Sequence, residues 1–269
     1  MINAWNVLKT RLRQGHRTTA WPEEAPTFPD RFRGRPAIDG TKCPEGCDDC
    51  EKSCPTQAIR FDPGIRLDLG RCLFCAECVN ACPEGAIRYT ADHRMAARNR
   101  EDLVLAGNGA EMRLAAALDA KMKSLFGRSL KLRQVAAGDC SGCALELQAL
   151  NNVVFDLGRF GIQFVASPRH ADGILLTGPV TKNMKLALQK TYDAIPQPRL
   201  VIAVGACAIS GGPFRGSPAV LVGADNPPAA ADPLPVDLYI PGCPPHPLTI
   251  LDGLLRLLGR LESGGGHKL

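Results

Sequence analysis

The sequence predicts two folded parts, a small cysteine-rich α+β domain followed by a larger α/β domain built on a parallel sheet. Two observations support this prediction. Eight of the twelve cysteines fall within residues 37–92, whereas the other four are spread through residues 129–269. In the second stretch, short apolar runs that end near glycine alternate with segments of helical periodicity, which is the pattern of right-handed βαβ units and a parallel sheet.

Four stretches of the chain differ in composition. Residues 1–36 are basic and interrupted by proline, and residues 37–92 form the cysteine-rich domain. Residues 93–128 contain no cysteine, and the near-3.6 spacing of their apolar residues predicts a helical linker. Residues 129–269 form the α/β domain. The apolar fraction of 45% and the charged fraction of 22% are ordinary for a soluble globular protein, and no apolar run reaches the roughly 18–20 residues that span a bilayer.

The α/β domain is predicted in more detail from its apolar runs. Strands are expected at residues 173–178, 200–205 and 237–240. Helices are expected at about residues 144–155, 182–194 and 247–261.

The basic N-terminal segment predicts an amphipathic helix. Trp5, Leu8 and Leu12 fall near one helical face, and basic residues surround them. Such a helix is expected to dock on a membrane partner or on the lipid surface, or else to order on another subunit. The segment lacks the continuous apolar core of a signal peptide, so we expect a cytoplasmic chain with reduced cysteines, which favours metal ligation over disulfides.

The most specific motif lies at residues 72–83. Cys72, Cys75, Cys78 and Cys82 have the spacing C-x2-C-x2-C-x3-C and are followed by proline. This is the bacterial run for 4Fe–4S clusters, in which the first three cysteines bind one cluster and the fourth binds a second cluster. Zinc sites usually pair cysteines two by two and lack this triple run, so they are the weaker interpretation, as is a disulfide scaffold.

A second run precedes the first, with three residues instead of two in its opening gap. Residues 55–60 and 83–88, which follow the two runs, are similar, so the domain is predicted to contain two half-modules related by a pseudo-twofold axis. Crossed pairing predicts two ligand sets: Cys43, Cys47, Cys50 and Cys82 (group 1), and Cys72, Cys75, Cys78 and Cys54 (group 2).

The last four cysteines are Cys140, Cys143, Cys207 and Cys243 (group 3). Each lies where a predicted strand ends or the next helix begins. Loops at the carboxyl ends of parallel strands converge on one crevice, so the four thiolates are predicted to hold a third cluster. The alternative is a thioredoxin-like dithiol at Cys140 and Cys143, which leaves the other two cysteines unexplained.

Three segments of this domain, residues 138–146, 205–212 and 240–245, resemble the small subunit of membrane-bound (group 4) nickel–iron hydrogenases, including that of formate hydrogenlyase. The same family covers the 20-kDa subunit of NADH–quinone oxidoreductase, complex I. The resemblance covers about residues 129–261. It implies a flavodoxin-like fold and a cluster on group 3 that lies next to the active site of a large subunit. The part of the chain that precedes and includes the first eight cysteines resembles the two-cluster ferredoxin subunit of the same complexes, so the whole chain resembles a fusion of two subunits.

The resemblance also bears on single residues. Complex I's counterpart has two adjacent cysteines at the first ligand position, so the spacing of Cys140 and Cys143 favours the hydrogenase branch. For Glu146, the resemblance implies a place facing the large subunit and a possible part in proton transfer. The ordinary alternative is an acidic residue in the first turn of a helix, favoured by the helix dipole. His246 is expected to be a surface histidine, because four cysteines already complete group 3.

The function expected from the sequence is electron transfer through three 4Fe–4S clusters, with the chemistry on a partner chain. Expected partners are a hydrogenase-type large catalytic subunit, integral membrane subunits and an external redox donor or acceptor, with the chain peripheral on the cytoplasmic face of the inner membrane. The alternatives are a subunit of a complex-I-like NADH/ferredoxin–quinone oxidoreductase and a free-standing ferredoxin-type carrier or sensor.

The charge balance does not indicate a nucleic-acid partner. The formal charge is 32 minus 27, or +5. Each oxidised cluster with four thiolates adds about −2 relative to neutral cysteines, so three clusters bring the chain to about −1. No nucleic-acid binding is expected.

Overall fold

The computed structural model describes residues 3–61, 64–107, 109–221 and 234–261. The α-helices in these ranges are α1 (Ala4–Gln14), α2 (Asp49–Lys52), α3 (Glu77–Ala81), α4 (Ala120–Phe126), α5 (Gly142–Ala149), α6 (Lys185–Asp193), α7 (Ala206–Ser210) and α8 (Pro247–Leu257). The strands are β1 (Pro36–Ile38), β2 (Ile59–Phe61), β3 (Ile65–Asp68), β4 (Ile87–Tyr89), β5 (Val104–Ala106), β6 (Leu130–Ala136), β7 (Ile162–Phe164), β8 (Gly173–Thr177), β9 (Leu200–Val204) and β10 (Leu238–Ile240). Among these residues, no helix has both the length and the apolar character needed to cross a bilayer.

The C-terminal domain is built on a five-stranded parallel sheet with the strand order β10-β9-β8-β6-β7. If β6 to β10 are counted as strands 1 to 5 of this domain and the sheet is read from the β7 edge, the order is 2-1-3-4-5, which is the order of flavodoxin-like folds. The order reverses beside β6, the first strand, so the crevice for a ligand lies at the carboxyl ends of β6 and β8. The predicted α/β fold is confirmed.

The sheet is buried on both faces. Every residue of β8 and β9 is buried, which explains why these strands appear in the sequence as continuous apolar runs. Leu175 packs in a core with helix α8, whereas Leu176 on the opposite face belongs to a core that extends to Leu67 of the cysteine-rich domain. The two domains therefore share one continuous apolar core.

The cysteine-rich domain has the predicted α+β architecture with two similar halves. Strand β1 pairs antiparallel with β4, and β3 pairs antiparallel with both β2 and β5. Short helices α2 and α3 each carry the third cysteine of a run, Cys50 and Cys78, on a buried face. Strands β2 and β4, which follow the two runs, show the same buried–exposed–half-buried pattern.

The predicted helical linker over residues 93–128 is wrong for most of its length. Among the described residues of this stretch, only Ala120–Phe126 form an α-helix, which begins where the Asp119 side chain accepts a hydrogen bond from the Met122 N–H at 2.9 Å. Before it, the backbone pairs with other segments: Ala115 N–H donates to the carbonyl of Ala96, and Leu118 N–H donates to that of Leu257. These tertiary bonds replace the i to i−4 bonds of a helix.

The remaining predicted elements are present with shorter bounds. Helix α5 ends at Ala149 instead of continuing to residue 155, because the Asn152 side chain accepts from the N–H groups of Val154 and Phe155 and closes a turn there. Helix α6 begins at Lys185, three residues later than expected.

The N-terminal helix α1 forms as predicted and lies apart from both cores. None of its residues is buried, and Trp5 and Leu12 are 69% and 77% exposed. The chain then returns to the α/β domain, where the N–H of Thr19 donates to the carbonyl of Val154.

Candidate metal centres

The group 1 cysteines come together at the start of the cysteine-rich domain. Burial, followed by the neighbouring thiols of Cys82 and Cys43, raises the pKa of the Cys50 thiol to about 12. Burial also raises the pKa of Cys43, with added repulsion from Cys82 and Cys47. All four predicted ligands are therefore electrostatic neighbours, including Cys82, which lies in the other half-module.

The group 2 cysteines form an equivalent cluster. Burial raises the pKa of Cys72 to about 12 and that of Cys78 to about 11. The neighbouring thiols of Cys54 and Cys75 contribute to the shift at Cys78. Cys54 of the first run therefore lies near Cys72 and Cys78 of the second run, and the crossed ligand sets stay a prediction.

Backbone N–H groups point at several of these sulfurs. Ala58 N–H donates to Cys54 Sγ at 3.2 Å, and Ala86 N–H donates to Cys82 Sγ at 3.3 Å. These two bonds occupy equivalent positions in the two half-modules. Such donors favour thiolates over thiols, because the additional negative charge strengthens the hydrogen bond.

Group 3 lies at the carboxyl ends of the parallel strands. Cys140 lies between β6 and α5, Cys143 lies in the first turn of α5, Cys207 lies in α7 after β9, and Cys243 follows β10. Burial raises the pKa of Cys143 and of Cys207 to about 12, and in both cases the thiols of Cys243 and Cys140 add to the shift. Cys140 and Cys243 are exposed, so this group lies at the protein surface.

Two glycines allow the group 3 sulfurs to pack against the backbone. A Cβ at Gly205 would lie 2.5 Å from Cys143 Sγ, and a Cβ at Gly212 would lie 2.8 Å from Cys207 Sγ. Both residues have positive φ angles, which glycine adopts without strain. No other residue fits either position without moving a predicted ligand.

The donor set fits iron–sulfur clusters. All twelve cysteines are free thiols, and thiolate is the ligand that such clusters require. Among the described residues, no three His, Cys, Asp or Glu side chains are close enough to hold a single metal ion, and a cluster of four irons separates its thiolates more widely than one ion does. The assignment of individual ligands to three clusters stays a prediction.

Glu146 lies beside group 3. It lines a cavity of about 340 Å³ together with Cys243 and His246. Burial raises the pKa of the Glu146 carboxyl, which is half-buried at this point of α5. The position is compatible with proton exchange at the face that carries group 3.

The expectation of a surface histidine at position 246 is wrong. The His246 Nδ1 accepts from the Leu248 N–H at 3.1 Å and so caps helix α8. Its ring makes edge contacts with Phe28, Phe32 and Phe155, at centroid distances of 5.3, 5.4 and 5.9 Å. Phe28 and Phe32 lie far from Phe155 and from His246 in the sequence, which gave no sign that these rings converge.

The sequence also did not reveal two side chains that lie beside the group 2 cysteines, those of Arg33 and Tyr89. Arg33 Nη1 donates to the carbonyl of Phe74, between two predicted ligands, at 2.6 Å. The hydroxyl of Tyr89 lies 3.9 Å from Cys72 Sγ. The internal repeat was the available signal for Tyr89, because Tyr89 in the second half of the repeat corresponds to Phe61 in the first half.

Known proteins share both parts of the chain. Residues 140–257 match the family of the NADH ubiquinone oxidoreductase 20 Kd subunit, and residues 42–86 match the 4Fe-4S dicluster domain. A Pyrococcus furiosus protein named as a probable membrane-bound hydrogenase subunit, mbhJ, is 39% identical over 144 residues, which are 54% of this chain and 83% of that protein. The chain belongs to the family of the 20 Kd subunit.

Two further relatives show that both branches of the family are similar to it. An NADH-quinone oxidoreductase subunit from Heliobacterium modesticaldum is 43% identical over 45% of this chain and 66% of its own length. Formate hydrogenlyase subunit 7 of Escherichia coli is 41% identical over 55% of this chain and 56% of its own length. The matches support an electron-transfer subunit of a complex-I-like or hydrogenase complex and do not separate the two.

Proposed function

We propose that this chain is the electron-transfer subunit of a membrane-associated nickel–iron hydrogenase of the formate hydrogenlyase type. In this proposal it holds three 4Fe–4S clusters and relays electrons between a large catalytic subunit and a ferredoxin or other redox partner. A bound 4Fe–4S cluster supplies reversible one-electron chemistry. The observation that carries the proposal is that the three cysteine groups adjoin one another in a fixed order.

The order is supported by two electrostatic interactions between groups. The Cys78 thiol of group 2 is close enough to raise the pKa of Cys50 in group 1, after burial and the group's own thiols. The Cys75 thiol of group 2 likewise raises the pKa of Cys243 in group 3, after burial and Cys140. Group 2 therefore lies between the other two. Cys50, Cys72 and Cys78 belong to the apolar core that the two domains share.

The group 3 face is the proposed docking site of the large subunit. Cys140 and Cys243 are exposed there, and Leu145 on the adjoining helix α5 is 61% exposed. The three groups use all twelve cysteines of the chain, so nickel would be bound by cysteines of the partner. Glu146 is proposed to exchange protons across this face.

A subunit of a complex-I-like quinone or ferredoxin oxidoreductase is the second candidate, and the similarity to the Heliobacterium modesticaldum protein favours it. The spacing of Cys140 and Cys143 favours the hydrogenase. In either case we place the chain at the cytoplasmic face of the membrane, where α1 would meet the lipid or a membrane subunit.

The test is to purify the tagged full-length chain anaerobically from its source and to identify what accompanies it. The hydrogenase proposal expects a large subunit with two C-x2-C pairs, about one nickel per complex, and hydrogen-linked redox activity. A nickel-free large subunit with quinone reductase activity would replace it by the second candidate. A stable soluble monomer would instead indicate a free-standing carrier or sensor.

A further inference from the structure

The two half-modules of the cysteine-rich domain differ at one informative position. Strand β2 carries Ile59, Arg60 and Phe61, and strand β4 carries Ile87, Arg88 and Tyr89. The two strands share the same burial pattern, so Phe61 and Tyr89 occupy equivalent places. The half-modules thus differ there by a single phenolic hydroxyl.

The hydroxyl of Tyr89 points at group 2. Its oxygen lies 3.9 Å from Cys72 Sγ, which also accepts from the N–H of Phe74 at 3.3 Å. A thiolate bound to iron has no proton to give, so the phenol is the donor in this contact.

Group 1 has the opposite environment. Phe61 lines a cavity together with Cys43 and Cys47, and its ring has no proton to donate to either sulfur. The carboxylate of Asp49 lies 3.9 Å from Cys47 Sγ. When Cys47 is a thiolate, this contact brings together two negative charges.

We propose that Tyr89 is a tuning residue that raises the reduction potential of the group 2 cluster above that of the group 1 cluster. Reduction adds negative charge to the cluster and its sulfurs, and a hydrogen bond to a sulfur stabilises that charge. The carboxylate of Asp49 acts in the opposite direction on group 1, weakened by its exposure to solvent. The inference rests on the proposed ligand groups.

The consequence concerns the relay. A potential at group 2 that is higher than at group 1 would favour electron transfer from group 1 to group 2. Tyr89 would contribute to this difference by donating to Cys72.

The test is an EPR-monitored redox titration of the full-length, cluster-loaded protein. The variants are Tyr89→Phe, which copies the residue of the other half-module, and its mirror image Phe61→Tyr. Tyr89→Phe is expected to lower the higher of the two midpoint potentials of the ferredoxin-type clusters, and Phe61→Tyr to raise the lower one. Each change is expected to alter the ratio of reduced to oxidised cluster about threefold to tenfold at a fixed potential, where tenfold is about 59 mV.

The gap between the two midpoints should therefore narrow in both variants. An unchanged or wider gap in variants with full iron content would overturn the tuning role and leave the proposed function intact. Absence of cubane signals in the unmodified protein would instead remove the proposed function. If Tyr89→Phe does not fold, the proposal is tested by Phe61→Tyr. In that case an unchanged value of the lower midpoint potential in Phe61→Tyr overturns the proposal.

Discussion

Replacing Gly205 by alanine tests the third cysteine group most sharply. Gly205 has φ 90° and ψ 156°, in a region that costs other residues about 1–3 kcal/mol. The added Cβ would lie 2.5 Å from Cys143 Sγ, whereas ordinary contact begins at 3.4 Å, so the sulfur has to retreat by 0.9 Å, the difference between the two distances. Metal–ligand distances tolerate only about 0.2 Å. Cys143 would therefore no longer reach its iron.

The assay is iron per chain together with the EPR spectrum of the reduced protein. Gly205→Ala is expected to lose about four of about twelve irons and the signal of the group 3 cluster, while both ferredoxin-type signals stay. Gly216→Ala is the matched control: it has φ 83°, and nothing lies within 4 Å of the added Cβ, so it imposes backbone strain without touching a sulfur. Full iron content in Gly205→Ala, or equal loss in the control, would refute the reasoning.

Three further outcomes are expected. His93 is 7% exposed, and burial lowers its pKa from 6.5 to about 4, so between these values the unfolded chain binds more protons and the stability of the folded protein falls as the pH falls. Anaerobic thermal unfolding should show that the free energy of unfolding decreases by about 1 kcal/mol between pH 7 and pH 5.5, and that His93→Gln lacks this decrease. Equal pH dependence in both proteins would contradict this. Deleting residues 1–14 should leave the iron content unchanged, since no residue of α1 is buried. The same deletion should release the chain from membranes in flotation assays, and retention on the membrane would rule out docking through α1. Glu146→Gln should keep all three cluster signals and slow the proton-dependent turnover of the complex. Gln148→Glu, on the exposed side of α5, is the control. Unchanged turnover in Glu146→Gln would contradict a role of Glu146 in proton transfer.

The cysteine positions were predictable because their spacing is a direct consequence of ligand geometry. The runs around Cys50 and Cys78 are local, so the sequence alone indicates which residues approach a common metal centre. Group 3 is not local, and it was predictable only through the rule that loops after parallel strands converge. The structure places Cys207 in the short helix α7, directly after β9, and Cys243 in the loop after β10.

Features decided by tertiary contact could not be predicted in the same way. The periodicity of residues 112–118 is compatible with a helix, but the N–H groups of Ala115 and Leu118 donate to the carbonyls of Ala96 and Leu257 instead. His246 lies among three phenylalanine rings that the sequence gave no means to bring together. Tyr89 was visible as the partner of Phe61 in the repeat, yet only the distance to Cys72 gives that difference a meaning.

The measurement that tests the whole account most directly is the iron and acid-labile sulfide content of the anaerobically purified chain, combined with EPR of the reduced protein. The three cysteine groups predict about twelve irons and about twelve sulfides per chain, with spectra of three interacting cubane clusters. Zinc in place of iron, or far fewer irons with no cubane spectrum on reduction, would contradict it.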